Sequence, residues 1–268
     1  MEFKYQQRLD LAIAAAQAAG QELLHRRESA LVSEKSPRDL VTDADLAAQE
    51  MIQRMLENAF TSDAFMGEEA GATIPPQSVV AGLPDAPPCW IVDPLDGTVN
   101  YVHRLQSFAV SIGLYAAGEL QVGVVYDPVC NEMFHAFRGG GAFVNGQRLR
   151  SSQCSQLDQA LVACSFAPRV AANSLEIERF LRMLPRCRAI RRLGSCALNL
   201  CYVAAGRLDA YWAASVKTWD AAAGALIAEE AGATVSSIDG SEIDLWQPRF
   251  IASANRTLND QIVACLNA

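Results

Sequence analysis

Apolar positions first recur at helical spacing. Leu9, Ile13, Ala16 and Leu23 fall along one side of an Ala-rich stretch, which predicts a long helix over 2–28. Gly20 inside it points to close packing against a neighbour. Residues 29–42 read as a loop. Met51, Ile52, Met55 and Leu56 then mark a second helix that starts near Thr42. Two short apolar runs follow, and both end in acid. Ala64-Phe65-Met66 stops at Gly67-Glu68-Glu69, and Trp90-Ile91-Val92 stops at Asp93-Pro94. Each reads as a strand; Pro94 forces a turn because it fixes its own φ and cannot donate to a ladder. Between them, 70–88 is rich in Gly, Ala and Pro and reads as a surface loop.

From Ser107 the pattern is β. Phe108 to Tyr115, Leu120 to Tyr126 and Met133 to Phe137 are separated by turn residues, which predicts an antiparallel meander. Gly139-Gly140-Gly141 reads as a hairpin or bulge, since no Lys-Ser/Thr follows as in a phosphate-binding loop. After about residue 150 strands and helices alternate. Strands are expected at Leu161 to Phe166, Ala189 to Leu193, Leu208 to Ala213, Thr234 to Ser236 and Phe250 to Ser253. Helices are expected over 172–184, over 195–206 with Ser195 as N-cap, over the Ala-rich 219–231 closed by Gly232, and near 256–266. The expected division is a helix pair plus antiparallel sheet over 1–150 and an α/β half over 151–268. Without a repeat or linker between them, the two should pack as one unit.

Composition narrows the functions. The 268-residue chain has a formal net charge of -8, which does not suggest nucleic-acid binding. No apolar run approaches the length of a membrane span. The eight cysteines show neither CxxC spacing nor a Cys-His cluster, and no signal peptide is evident. The expected compartment is reducing, cytoplasmic.

The acids carry the candidate chemistry. Asp93 and Asp96 stand at a strand end on a rigid turn, followed by Gly97 and Thr98. Two carboxylates held together need a cation or a proton between them. Hard divalent ions such as Mg2+ take oxygen ligands and share them with substrate phosphates. The plain alternative is a solvated acidic turn, and the buried run before Asp93 counts against it. Asp220 opens the Ala-rich helix, where an acid complements the helix dipole or faces a bound cation. Thr42-Asp43-Ala44-Asp45 fits a capping box, which alone would explain Asp45. Glu68 and Glu69 alone would read as a solvated loop.

Taken together, these stretches resemble the inositol monophosphatase family. Trp90-Ile91-Val92-Asp93-Pro94-Leu95-Asp96-Gly97-Thr98-Val99-Asn100-Tyr101 is similar to its first signature, and Trp219-Asp220 through Gly232 to its second. Gly67-Glu68-Glu69 and Asp39 to Asp45 match in the same order, so the resemblance covers almost the whole chain. It implies an α/β fold, layered as an αβαβα sandwich. It also implies Mg2+-dependent hydrolysis of a small phosphorylated alcohol such as inositol 1-phosphate, by in-line attack of a metal-activated water. Glu68, Asp93, Asp96, Asp220 and the Leu95 carbonyl would be metal ligands, with Asp93 bridging. The 1–150 part would then carry most ligands, and 151–268 would carry Asp220 and the substrate side. Gly97 and Thr98 would offer backbone N–H groups to the phosphate. Thr98 and Asp45 would position and deprotonate the water, with Lys35 and Glu69 close by. Gly194, Ser195 and Cys196 would face the alcohol. One departure stands out: Ala213 occupies the place of the Glu that binds sugar hydroxyls in inositol-specific members. Either activity on small phosphorylated alcohols would then be broad, or the distal part of the substrate would be recognised elsewhere, with Arg191 and Arg192 as candidates. Related phosphatases of histidinol phosphate, fructose bisphosphate and 3′-phosphoadenosine nucleotides are the alternatives.

Two other classes compete. Haloacid-dehalogenase phosphatases use the first Asp of a strand-end pair as nucleophile, but their acids are separated by one residue and Asp93 and Asp96 by two. A non-catalytic scaffold would show a lost metal acid, and none is lost. Arg186, Arg188, Arg191 and Arg192 read as a solvated face or an interface, and the resemblance implies a homodimer with 188–193 at or near it.

Overall fold

The helical spacing at the N-terminus forms α1, Gln6–Arg26, which buries Leu9, Ala12, Ala16, Ala19 and Leu23. Gly20 lets it approach the sheet, since a Cβ there would lie 2.6 Å from the Tyr126 ring. The expected loop over 29–42 is instead an antiparallel hairpin of β1, Val32–Ser36, and β2, Asp39–Thr42. Its residues 32–35 are exposed, so no apolar alternation marks it in the sequence. Thr42 caps α2, Asp43–Ala59. Then come β3, Ala64–Gly67; a single turn, α3, Gln77–Val80; and β4, Cys89–Asp96. The structure, a computed structural model, describes residues 4–36, 39–69, 77–83 and 85–268. Residues 2–3 of the first expected helix, 37–38 of the expected loop over 29–42, and 70–76 and 84 of the expected loop over 70–88, lie outside the described residues.

After the short α4, Thr98–Val102, the meander runs through β5, Ala109–Ala116; β6, Glu119–Asp127; β7, Glu132–Phe137; β8, Gly141–Val144; and β9, Gln147–Arg148. Among the described residues, seven strands form one sheet in the order β3-β4-β5-β6-β7-β8-β9. Only β3 and β4 pair in parallel. Pairing of β4 with β5 does not end at Pro94. It breaks register between Asp93 and Asp96 and resumes with Asp96 opposite Ala109.

The second half supplies β10, Leu161–Ser165; α5, Leu175–Met183; β11, Ala189–Arg191; α6, Cys196–Ala204; β12, Ala210–Ala213; α7, Thr218–Glu230; β13, Thr234–Ser237; β14, Phe250–Ser253; and α8, Arg256–Leu266. Its sheet has the order β11-β10-β12-β14-β13. Helices α1 and α2 pack on one face of the first sheet through Ala12, Ala16, Ile52, Trp90, Ile112 and Val124. Helices α6 and α7 fill the space between the sheets, with Leu198, Ala222 and Leu226 against Ile91 and Val125, and Leu200 and Ala221 against Tyr211 and Phe250. Helices α5 and α8 cover the outer face of the second sheet. The expected αβαβα layering is borne out.

One contact positions the site. Gly113 of β5 pairs with Gly123 of β6. A Cβ at Gly123 would lie 2.5 Å from the Ala223 carbonyl oxygen, and one at Gly113 3.2 Å from Ala222 Cβ. The backbone of α7 therefore rests directly on the sheet, with only small side chains between.

Candidate active site

Parallel pairing sends β3 and β4 out of the sheet on the same side, with Gly67 opposite Val92. Glu68 follows, its N–H donating to Val92 O at 3.1 Å. Asp93 is the next residue of β4, and the close seat of α7 brings Asp220 to the same place. One carboxylate oxygen from each of Glu68, Asp93 and Asp220 lies within 4.8 Å of the others. Asp93 is buried, and the other two are partly exposed at the mouth. Backbone donors orient the pair of aspartates: Leu95 N–H donates to Asp93 Oδ1 at 2.9 Å, and Lys217 N–H to Asp220 Oδ2 at 2.7 Å.

The electrostatics of this cluster are those of a cation site. Burial pushes Asp93 well above the usual carboxylate range, and the charges of Glu68, Asp96 and Asp220 push it further. Burial and then the charge of Asp96 do the same to Asp220. Such acids hold their charge only with a proton or a cation among them. Lys35 does not fill that need at the centre, because Nζ is engaged at the rim by Glu68 at 2.9 Å and Glu69 at 2.6 Å. Convergent, hard oxygen donors within reach of one ion fit a divalent cation.

Asp96 is held differently. Ser195 Oγ donates to Oδ2 at 2.5 Å, Ala197 N–H to Oδ2 at 2.7 Å and Cys196 N–H to Oδ1 at 3.2 Å. Burial still raises its carboxyl to about 6 against these bonds. Asp96 thus lies beside the Glu68–Asp93–Asp220 cluster and ties the end of β4 to the first turn of α6. Ser195 is the N-cap, receiving Leu198 N–H at 3.1 Å, and its hydroxyl hydrogen goes to Asp96. Cys196 is buried, and burial pushes its thiol well up, so it is a poor nucleophile.

Thr98 and Asp45 meet at the other side. Thr98 Oγ1 lies 3.1 Å from Leu95 O and 3.3 Å from Asp45 Oδ1. Asp45 Oδ2 receives Thr42 N–H at 2.9 Å and Thr42 Oγ1 at 2.5 Å. Asp45 therefore completes the capping box with one oxygen and faces Thr98 with the other. Gly97 has φ 97°, and a Cβ there would lie 3.0 Å from Ser107 O. Ala213 is fully buried on β12 and offers no polar side-chain atom.

Two sets of supporting contacts were not legible in the sequence. Gln49 is buried and exchanges bonds with the Glu69 backbone, accepting from N–H at 2.8 Å and donating to the carbonyl at 3.4 Å. A Cβ at Gly67 would lie 2.3 Å from its Oε1. Asn100 Nδ2 donates to Ser107 O and Leu193 O, both at 2.7 Å, and so joins α4 to the segment that leads into α6. Gly194, with φ 92°, sits against it. Their sequence neighbours gave no sign of partners so distant along the chain.

A family model described as "Inositol monophosphatase family" matches residues 4–268. The chain belongs to the inositol monophosphatase family. It is 43% identical over 263 residues to "Inositol monophosphatase 2" of Solanum lycopersicum, covering 97% of both chains. It is 36% identical over 266 residues to "Nus factor SuhB" of Pasteurella multocida (strain Pm70), again covering 97% of both. The solved extragenic suppressor protein suhB from Bartonella henselae superposes with TM-score 0.88 at 33% identity, covering 97% of this chain and 98% of the other. Members of this family are metal-dependent phosphomonoesterases, which sets aside the aspartyl-nucleophile reading. Among the described residues, no helix is long and apolar enough to cross a membrane.

Proposed function

We propose that this inositol monophosphatase family member is a Mg2+-dependent hydrolase of small phosphorylated alcohols. The observation that carries the reading is the convergence of Glu68, Asp93 and Asp220 oxygens within 4.8 Å. Glu68, Asp93 and Asp220 would hold divalent cations, with Asp96 and the Leu95 carbonyl at the flank. When bound, such ions neutralise a phosphate dianion, lower the pKa of a water and stabilise the departing alkoxide. The chain's own groups do the rest. Backbone N–H groups of Gly97 and Thr98 donate to phosphate oxygens. Thr98 Oγ1, between Leu95 O and Asp45 Oδ1, orients the attacking water, and Asp45 takes its proton. The Ser195 and α6 bonds keep Asp96 from rotating away from the cluster.

The test is phosphate release from inositol 1-phosphate, glycerol 2-phosphate, histidinol phosphate, fructose bisphosphate and 3′-phosphoadenosine nucleotides. Release should require Mg2+ and stop with EDTA. Asp93→Asn should lower metal affinity or activity by at least about 10–100-fold while the fold survives. Full activity of this variant at saturating Mg2+ would sink the assignment. Because Ala213 cannot bond a hydroxyl, loss of individual substrate hydroxyls should cost little. We also infer a homodimer. The edge strand β11, which ends in exposed Arg191 and is flanked by exposed Arg188 and Arg192, supports an interface there. Light scattering that finds only monomer at micromolar concentration would count against it.

A further inference from the structure

A cavity of about 530 Å³ opens beside the acid cluster. Met66, Lys217, Trp219, Trp246, Pro248 and Arg249 are among the residues lining it, and none of the lining residues is an acid. It borders the cluster from two elements. Met66 stands two residues before Glu68, and Trp219 immediately precedes Asp220. The Lys217 side chain lines the cavity while its own N–H holds Asp220 at 2.7 Å.

Lys217 and Arg249 are exposed, and among the described residues neither side chain is paired with a carboxylate. Arg249 instead lies within electrostatic reach of another cation, Arg179. Burial, and then repulsion from Arg182 and Arg249, hold the Arg179 guanidinium below its ordinary value. Three acids touch lining residues from outside the cavity: Glu176 accepts from Ser215 Oγ at 2.6 Å, Asp244 from Trp246 N–H at 2.9 Å and Asp220 from Lys217 N–H at 2.7 Å. In a chain of net charge -8, an acid-free cavity with two unpaired cations selects for anions. Its walls supply flat apolar surface. Trp246 is fixed edge-on against Tyr115, with ring centroids 5.2 Å apart. The volume lies in the range of small-ligand pockets. Arg191 and Arg192, the candidates expected from sequence, are not among the lining residues. Arg192 lies over the Phe166 ring, and Arg191 donates to the Ile190 carbonyl.

We propose that this cavity receives the distal part of the leaving alcohol, and that the preferred substrates are phosphate monoesters whose alcohol carries a flat ring and a second anionic group. The inference rests on the phosphatase reading. It is tested with phenyl phosphate and 4-carboxyphenyl phosphate, which differ only in the distal anion. The ratio of kcat/KM for the carboxylated over the plain ester should fall at least about fivefold in Arg249→Glu, and less in Arg249→Gln. Trp246→Ala should lower both ring esters relative to glycerol 2-phosphate. A second readout is independent of turnover. In EDTA, 4-carboxyphenyl phosphate should quench tryptophan fluorescence at lower concentration than phenyl phosphate in the parent protein, and this preference should vanish in Arg249→Glu. An unchanged kcat/KM ratio together with an unchanged fluorescence preference overturns the inference while leaving the phosphatase reading standing. Absence of Mg2+-dependent release from any ester overturns both.

Discussion

Asp45 shows how much one residue can carry and how much of it a sequence reveals. Its capping box is local, spans four residues and is legible as T-x-x-D. Its second contact, to Thr98, bridges 53 positions and is not. Burial raises its carboxyl to about 6, outweighing the lowering by the Thr42 hydroxyl and N–H. If Asp45 is the base, its active form exists only above that pH. The expected outcome is a kcat/KM that falls as pH drops below about 6. Asp45→Asn should remove this limb and lower the rate by about 10²–10⁴-fold. The stability effect has the opposite sign. A carboxyl whose folded pKa is raised contributes stability that is full below its unfolded pKa and is lost as pH rises through about 6. Asp45→Asn should therefore be more resistant to urea than the parent at pH 7. A variant that keeps the acid limb would dissociate Asp45 from the base role. Ser195 makes a similar point: an N-cap is readable from its neighbours, but a bond to Asp96, 99 residues away, needs the fold.

At the scale of elements, what was legible follows burial. The buried runs that became β4, β5 and β6, and the Ala-rich α7, announce themselves by composition. The β1–β2 hairpin, exposed and polar, does not, although it brings Lys35 to the acids. Continuation of β4 past Pro94 was also hidden, because a register break lets the ladder skip the proline. Close packing of α7 can be tested directly. Gly123 faces the Ala223 carbonyl, a backbone atom that cannot rotate aside. Gly123→Ala should cost about 1–3 kcal/mol in urea unfolding, in the manner of an overpacked core. It should also weaken metal binding, because any lift of α7 moves Asp220 away from Glu68 and Asp93. Loss of stability with unchanged metal affinity would show that the seat of α7 does not set the site.

The whole molecule is organised so that two sheets and the helix pair between them bring ends of β3, β4, α6 and α7 to one place. This arrangement concentrates negative charge where burial opposes it. The folded state without cations therefore contains repulsion that the unfolded chain, with its acids dispersed in water, relieves. Two consequences follow. Asp93→Asn removes the most deeply buried charge of the cluster, so without metal it should melt at a higher temperature than the parent. Mg2+ that binds the folded state alone should stabilise the parent by mass action, about 2.7 kcal/mol at a hundredfold excess over Kd. The same excess should shift Asp93→Asn far less. Differential scanning calorimetry with EDTA and with Mg2+ reads both effects in one series. If EDTA and Mg2+ give the same melting temperature in the parent, the acids are balanced within the fold by other means, and the cluster is not the cation site inferred from its geometry.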